Sequence, residues 1–337
     1  MKAVVPLLLV GLLALCAWAC TAYLGLYTLF GVVIPYVAFA AFVIGFIIRI
    51  IRWGKSAVPF AIPTTCGQEK SLPWIKQAKL DNPSSYAGVI GRMFLEIFCF
   101  RSLFRNNKVE KNDGELAIGS AKWLWLFGLM FHWSMLIIVL RHLRLFMDPI
   151  PMWISGIEWV DGILQVGLPI VYITDVLLVS ALTFLFLRRV LIPRIRYISL
   201  SVDYFPLFLL LGIAISGICM RYIFRIDITT VKELTMGLIT FSPVVGSDIQ
   251  PIFYLHIFLV STLLIYFPWS KLMHSGGIFF SPTRNMANNS RAVRHVNPWN
   301  YDVKVHTYAE YEQEFGEKMK KAGLPLDADP VEADSER

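Results

Sequence analysis

Six stretches of predominantly apolar residues dominate this chain: 3–24, 29–51, 120–144, 167–190, 204–225 and 251–273. About 20 such residues in a helix cross the hydrocarbon core of a bilayer, and the helix satisfies its own backbone polar groups there. The expected fold class is therefore an all-α integral membrane protein of six transmembrane helices. Composition agrees, at 56% hydrophobic over 337 residues, above the roughly 45–50% of soluble domains.

Charge sets the expected orientation. The net charge is +7, and the basic residues gather beside the apolar runs. There they act as topology signals rather than as a nucleic-acid surface. Segment 54–119 carries nine Lys or Arg. Arg188, Arg189, Arg194 and Arg196 follow the fourth run, and Lys271, Arg284, Arg291 and Arg294 mark the end of the sixth. Placing all three groups in the cytoplasm puts both termini there too, with the chain in the cytoplasmic membrane.

The expected parts are an N-terminal anchor (1–25), a second span (26–53), a cytoplasmic or interfacial segment (54–119), a four-helix membrane domain (120–274) and a cytoplasmic tail (275–337). Lys2 before the first run also fits a signal peptide, but Trp18 and the length of the run favour an uncleaved anchor. In segment 54–119, Ile90, Met93, Phe94, Ile97 and Phe98 recur at helical spacing, with Arg92, Glu96 and Arg101 elsewhere on the wheel. That pattern is an amphipathic helix for the membrane surface or for a partner. Residues 106–114 read as a polar loop and 153–165 as a short interfacial helix. The tail reads as extended or partly disordered until bound. The five cysteines have no CxxC or CxxCH spacing, and only Cys66 stands in a polar loop, as a partner contact or a thiol near a cluster.

Ionisable residues inside a span are costly, and functional by default. His132 and His142 lie in the third run, ten residues or about 15 Å apart on a helix. His256 and His274 bound the sixth, 18 residues or about 27 Å apart, on one face of a straight helix. The two runs cross in opposite directions, so His142 pairs with His256 near the outer face and His132 with His274 toward the inside. Two imidazoles at one level suit a six-coordinate haem iron. Two haems b stacked across the membrane are expected. The unequal separations require a tilted inner haem or a bent span, and Pro268 is placed to bend it. A lone membrane histidine is often just an interhelical hydrogen-bond partner, but four that pair by depth form a pattern. A metal site without haem is the weaker alternative, because no carboxylate lies one turn from any of the four. Arg141, Arg144, Arg221 and Arg225 stand at outer span ends, against the topology rule. They either snorkel to headgroups or neutralise haem propionates, and their place beside His142 favours propionates.

Local matches carry a resemblance. They are Ile34-Pro35-Tyr36-Val37-Ala38 with Ile44-Gly45, the ten-residue histidine spacing, and Leu255-His256 through Phe267-Pro268-Trp269-Ser270-Lys271-Leu272-Met273-His274. The last five runs resemble the gamma subunit of respiratory nitrate reductase. In that family four such histidines ligate a distal and a proximal haem b, and quinol is oxidised near the distal one. The extra first run, the long 54–119 segment and the ending from His274 to Asn285 are instead similar to DsrM, the cytochrome subunit family of the Dsr membrane complex. That resemblance implies a DsrK-like cytoplasmic iron–sulfur partner, further Dsr subunits, menaquinone and a place in dissimilatory sulfur metabolism. The remaining alternatives are a gamma-type cytochrome of another reductase, a haem conduit without a quinone site, and a non-redox anchor or transporter.

A quinol site needs a proton acceptor. Asp175 is the one carboxylate inside a span interior, about 12 Å below its outer end and near the level of His142 and His256. It serves as that acceptor, with Glu158 and Asp161 carrying the proton outward, or it only bonds a neighbouring span or pairs with an outer arginine.

Overall fold

The computed structural model describes residues 2–58, 67–112, 115–162, 169–246, 248–292, 302 and 304–327. Cys66 and the first residues of the expected fourth span lie outside the described residues. Contacts divide the chain into two units, Met1–Ala292 and Val293–Arg337.

The first unit begins with α1 (Val4–Leu24) and α2 (Ile34–Gly54), the latter preceded without a break by a π-helical turn, Leu29–Val33. Next come α3 (Tyr86–Cys99), α4 (Arg101–Arg105) and the antiparallel pair β1 (Asn107–Asn112) and β2 (Glu115–Ser120), in register from Asn107 opposite Ser120 to Asn112 opposite Glu115. The loop expected at 106–114 is thus largely one arm of a hairpin. Helices α5 (Lys122–His142), α6 (Met152–Asp161), α7 (Ile173–Leu191), α8 (Pro193–Ile198), α9 (Ser201–Ile218) and α10 (Ile228–Ile239) follow. Helix α9 runs on into a second π-helical turn, Cys219–Phe224. The last elements are α11 (Pro251–Tyr266) and α12 (His274–Gly277), separated by two 3-10 turns at Phe267–Trp269 and Lys271–Met273.

Among the described residues five helical stretches have the length and composition to cross a bilayer: Val4–Leu24, Leu29–Gly54, Lys122–Phe146, Ser201–Phe224 and Pro251–Trp269. They make the chain a multi-pass membrane protein. The fourth expected span appears as the 19-residue α7, whose Asp175, Arg188 and Arg189 give it a less apolar composition. It nonetheless packs between α5 and α9, with Leu178 and Leu182 buried against Leu210.

Helix α11 is the hub, with α1, α2 and α9 as its neighbours, while α5 joins the bundle through α7. The first helix is therefore an integral part of the bundle, seated against both α9 and α11. Its Ala17 meets Phe30 and Tyr254, and its Val10 meets Leu209 and Leu259, all buried.

Of the two alternatives for the last span, the structure has the bend: Pro268 interrupts the helix, and Ser270 is extended between the 3-10 turns. Helix α3 turns its apolar face outward, with Ile90 and Phe94 exposed and Arg92 and Glu96 buried. The reason lies in an expectation that changes. Residues 275–292, expected as loose tail, fold onto the 67–105 segment. Asn288 donates its backbone N–H to Pro83 O at 2.7 Å and its Nδ2 to Asn82 Oδ1 at 2.6 Å. Arg284 pairs with Glu96 at 2.8 Å, and Arg92 donates to the carbonyls of Asp81 and Met286, each at 3.1 Å. A buried charge has to be paired and hydrogen-bonded, so these contacts turn the polar side of α3 inward. In the second unit, α13 (Tyr308–Lys321) opens with a capping box, in which Thr307 and Glu310 bond each other's backbone N–H. It closes with Lys318, Lys320 and Lys321 in its last turn, where cations suit the helix dipole.

Gly45 lets α2 approach the break in the last span. A Cβ there would stand 2.8 Å from Cβ of Pro268 and 3.3 Å from Trp269, and the proline ring has no rotamer with which to yield. Gly45→Ala is expected to destabilise by about 1–3 kcal/mol through overpacking. Gly11→Ala, with nothing within 4 Å of its Cβ, is expected to be neutral or mildly stabilising. Thermal unfolding of the two variants in the same detergent checks the contrast.

Candidate functional site

Of the four membrane histidines, the structure brings His132 and His274 into ring contact. The rings of His132 on α5 and His274 at the start of α12 have centroids 5.9 Å apart and planes at 83°. This depends on the break after α11: a straight helix would carry His274 past the level of His132. His142 closes α5 and His256 stands in the second turn of α11.

Each imidazole is held through Nδ1. In His132 it is 2.7 Å from Gly128 O, and in His142 it is 2.7 Å from Ile138 O, both one turn back on the same helix. In His274 it is 2.9 Å from Lys271 O. In His256 it is 2.9 Å from Oγ of Ser216 on α9. That hydroxyl donates its proton to Ile213 O at 3.0 Å, so its lone pair is what receives the imidazole N–H. All four rings are therefore assigned the Nδ1–H tautomer, which leaves Nε2 with a free lone pair. Gly217 brings the α9 backbone close beside His256, where a Cβ would meet the ring at 3.4 Å. Neither Ser216 nor Gly217 was singled out from sequence. A small-residue pair in a span facing a histidine span was the available signal. Phe100 and Phe131 both set their rings edge-on to His132, with centroids at 4.9 Å.

Next to the outer pair lies an ionic network on α5, α6, α7 and the π turn after α9. Arg141 Nε is 3.0 Å from Asp161 Oδ2, and its Nη2 is 3.1 Å from Asp175 Oδ1. The same Nη2 donates to Thr174 Oγ1 at 3.2 Å, and the guanidinium stacks over Tyr172 at 3.6 Å. Asp161 accepts from the Thr174 N–H at 3.0 Å and from its hydroxyl at 2.6 Å. Tyr222 donates to Asp175 Oδ2 at 2.9 Å. Asp175 thus pairs with an outer arginine, and both of its oxygens are engaged. Glu158 is likewise taken, with Arg144 Nη1 at 2.9 and 3.0 Å from its two oxygens.

Arg141 and Arg144, expected at haem propionates, instead hold carboxylates. For Arg141 the physical reason is burial: the Arg141 and Asp161 side chains are 8% and 4% exposed, and a buried charge demands a close partner. Arg221 lies over Tyr172 at 4.2 Å and donates to Ile170 O at 3.3 and 3.2 Å. Arg225 is exposed, at a left-handed residue closing the π turn. Neither meets a carboxylate among the described residues. No group of three or more His, Cys, Asp and Glu suited to a metal ion occurs among the described residues.

The sequence profile described as nitrate reductase gamma subunit matches residues 100–296. The chain is 49% identical over 278 residues to the Hdr-like menaquinol oxidoreductase cytochrome b-like subunit of Archaeoglobus fulgidus, covering 80% of this chain and 83% of that one. It is 42% identical over 273 residues to the protein of the same description from Archaeoglobus profundus, covering 79% and 81%.

Arg141 holds two carboxylates at once. Arg141→Met is expected to destabilise by about 3–5 kcal/mol, because it strands buried charge. Adding Asp161→Asn should restore part of that loss, a coupling of about 0.5–3 kcal/mol. A double-mutant cycle on reversible unfolding in detergent measures it, and strict additivity would show that the pair does not interact.

Proposed function

The chain belongs to the cytochrome b-like subunits of Hdr-like menaquinol oxidoreductases, with a membrane region of the nitrate reductase gamma type, and from that premise we propose that it binds two haems b and exchanges electrons with menaquinol. In this reading His142 and His256 would hold an outer haem, and His132 and His274 an inner one. Haem b bound there supplies one-electron redox chemistry. The observation that supports the reading best is the shared bonding pattern, with Nδ1 engaged and Nε2 free in all four rings. Metal-ligating histidines nearly always have the second nitrogen held in this way. The ring-centre distance of the inner pair, 5.9 Å, also fits. A metal at about 2 Å from each facing nitrogen holds two imidazole centres roughly 6 Å apart.

The remaining roles follow from position. Of the four outer-end arginines, Arg221 and Arg225 meet no carboxylate among the described residues, and they are assigned to the propionates. Both termini lie in the cytoplasm, with segment 54–119 and the tail facing a DsrK-like iron–sulfur subunit. The setting is the respiratory chemistry of sulfur compounds. Quinol gives up protons with its electrons, so a base has to stand near the outer pair. Asp175, bonded by Tyr222 and Arg141 next to His142, is that base, and Asp161 and Glu158 continue the network toward the outer surface.

The pyridine haemochrome count on the purified chain is expected to be two. Replacing His142 or His256 with Ala should remove the outer haem and leave the inner one; His132→Ala or His274→Ala should do the reverse. A count of zero in the wild type would end the reading. Ser216→Ala removes the acceptor for His256 Nδ1 and is expected to weaken outer haem retention about 10-fold or more, without touching the inner haem. Asp175→Asn should leave both haems bound and slow their reduction by a menaquinol analogue. An unchanged stopped-flow rate would take Asp175 out of the reaction.

A further inference from the structure

Helix α3 carries a stripe of large apolar residues at four-residue spacing. Tyr86, Ile90, Phe94 and Phe98 are 80, 71, 57 and 39% exposed. Its other side is closed, because Val89, Arg92 and Glu96 are buried and Arg92 and Glu96 are bonded to the 284–286 segment. A helix whose ionic side is covered and whose aromatic side is open needs an apolar phase outside it.

The position of its C-terminal end says which phase. The indole of Trp125 donates to Cys99 O at 2.7 Å, and that of Trp133 donates to Phe98 O at 3.1 Å. The rings of Phe98 and Trp133 are 6.0 Å apart, and those of Phe104 and Trp125 are 4.8 Å apart. Trp125 and Trp133 stand one and three turns into α5, a helix that begins at Lys122 and is long and apolar enough to cross the bilayer. Helical side chains lean toward the N-terminus, so the tip of α3 lies roughly 10 Å inside the start of that span. Phe100, in the left-handed region at φ 50°, reverses the chain there, and α4 returns along α5. The stripe is continuous with Leu126, Trp133 and Leu136, which are exposed on the outside of α5. The carbonyls freed at the reversal are bonded by the two indoles, as backbone at membrane depth requires.

We propose that α3 and α4 form a re-entrant hairpin inserted in the lipid from the inner side, with the Tyr86–Phe98 stripe in contact with acyl chains and Phe98 deepest. The hairpin anchors the folded segments 67–105 and 275–292 to the bilayer and sets Phe100 against His132. The inference stands apart from the haem reading, since it uses no property of a bound cofactor.

The test uses the full-length protein in nanodiscs of phosphatidylethanolamine and phosphatidylglycerol doped with a phospholipid that bears a diazirine on its acyl chain. After irradiation, peptide mass spectrometry should find lipid adducts on Phe94 and Phe98, as on the outside of α5. In the same nanodiscs Phe94→Cys should resist a membrane-impermeant maleimide, and detergent denaturation should restore labelling. Adducts on α5 with none on residues 86–98 would overturn the proposal. So would maleimide labelling of Phe94→Cys at the rate of a residue in α13, which would mark the stripe as a water-facing surface for a protein partner.

Discussion

A polar side chain inside a bilayer has to find its partner within the protein, and the histidines and arginines of this bundle are arranged by that rule. The histidines meet it locally. Three bond a carbonyl three or four residues back, and the fourth borrows a serine hydroxyl from the next helix. These bonds cost no long-range organisation for three of the rings, and they select the tautomer that exposes Nε2. The arginines near the outer pair meet the rule at longer range. Arg141 gathers Asp161, Thr174, Asp175 and Tyr172 around one guanidinium, and so ties α5 to α6 and α7.

Departures from regular helix geometry do much of the positioning. The π turn at Cys219–Phe224 directs Arg221 and Tyr222 toward Tyr172 and Asp175, in keeping with the frequent occurrence of such turns at functional sites. The two 3-10 turns after α11 replace the last turns of a helix, and Lys271 at the start of the second pairs with Asp203 at 2.6 Å. That pairing holds the start of α9 to the bend that delivers His274. Gly45 on α2 provides the space in which the bend is packed.

At the cytoplasmic end of the proposed topology the ordered layer is built from two distant pieces of sequence. Residues 67–105 and 275–292 are joined through Asn82, Arg92, Glu96 and Glu69. None of these bonds is local in sequence, so their donors and acceptors look like ordinary surface residues when the chain is read in order. Their effect is to place polar groups between the two segments and to leave aromatic ones outside.

The sequence by itself determined that the chain is a helical multi-pass membrane protein, and which two apolar runs carry the histidines. Both follow from local quantities, apolar length and the place of each residue in its run. Only the tertiary structure decided the rest. It gave Arg141 and Arg144 to carboxylates, placed Ser216 behind His256, and turned Arg92 and Glu96 inward on α3. These outcomes turn on which residue lies across a gap between helices, and on the high cost of leaving a charge without a partner there. Periodicity reports which face of a helix is apolar; it does not report what the neighbouring chain presents to the other face.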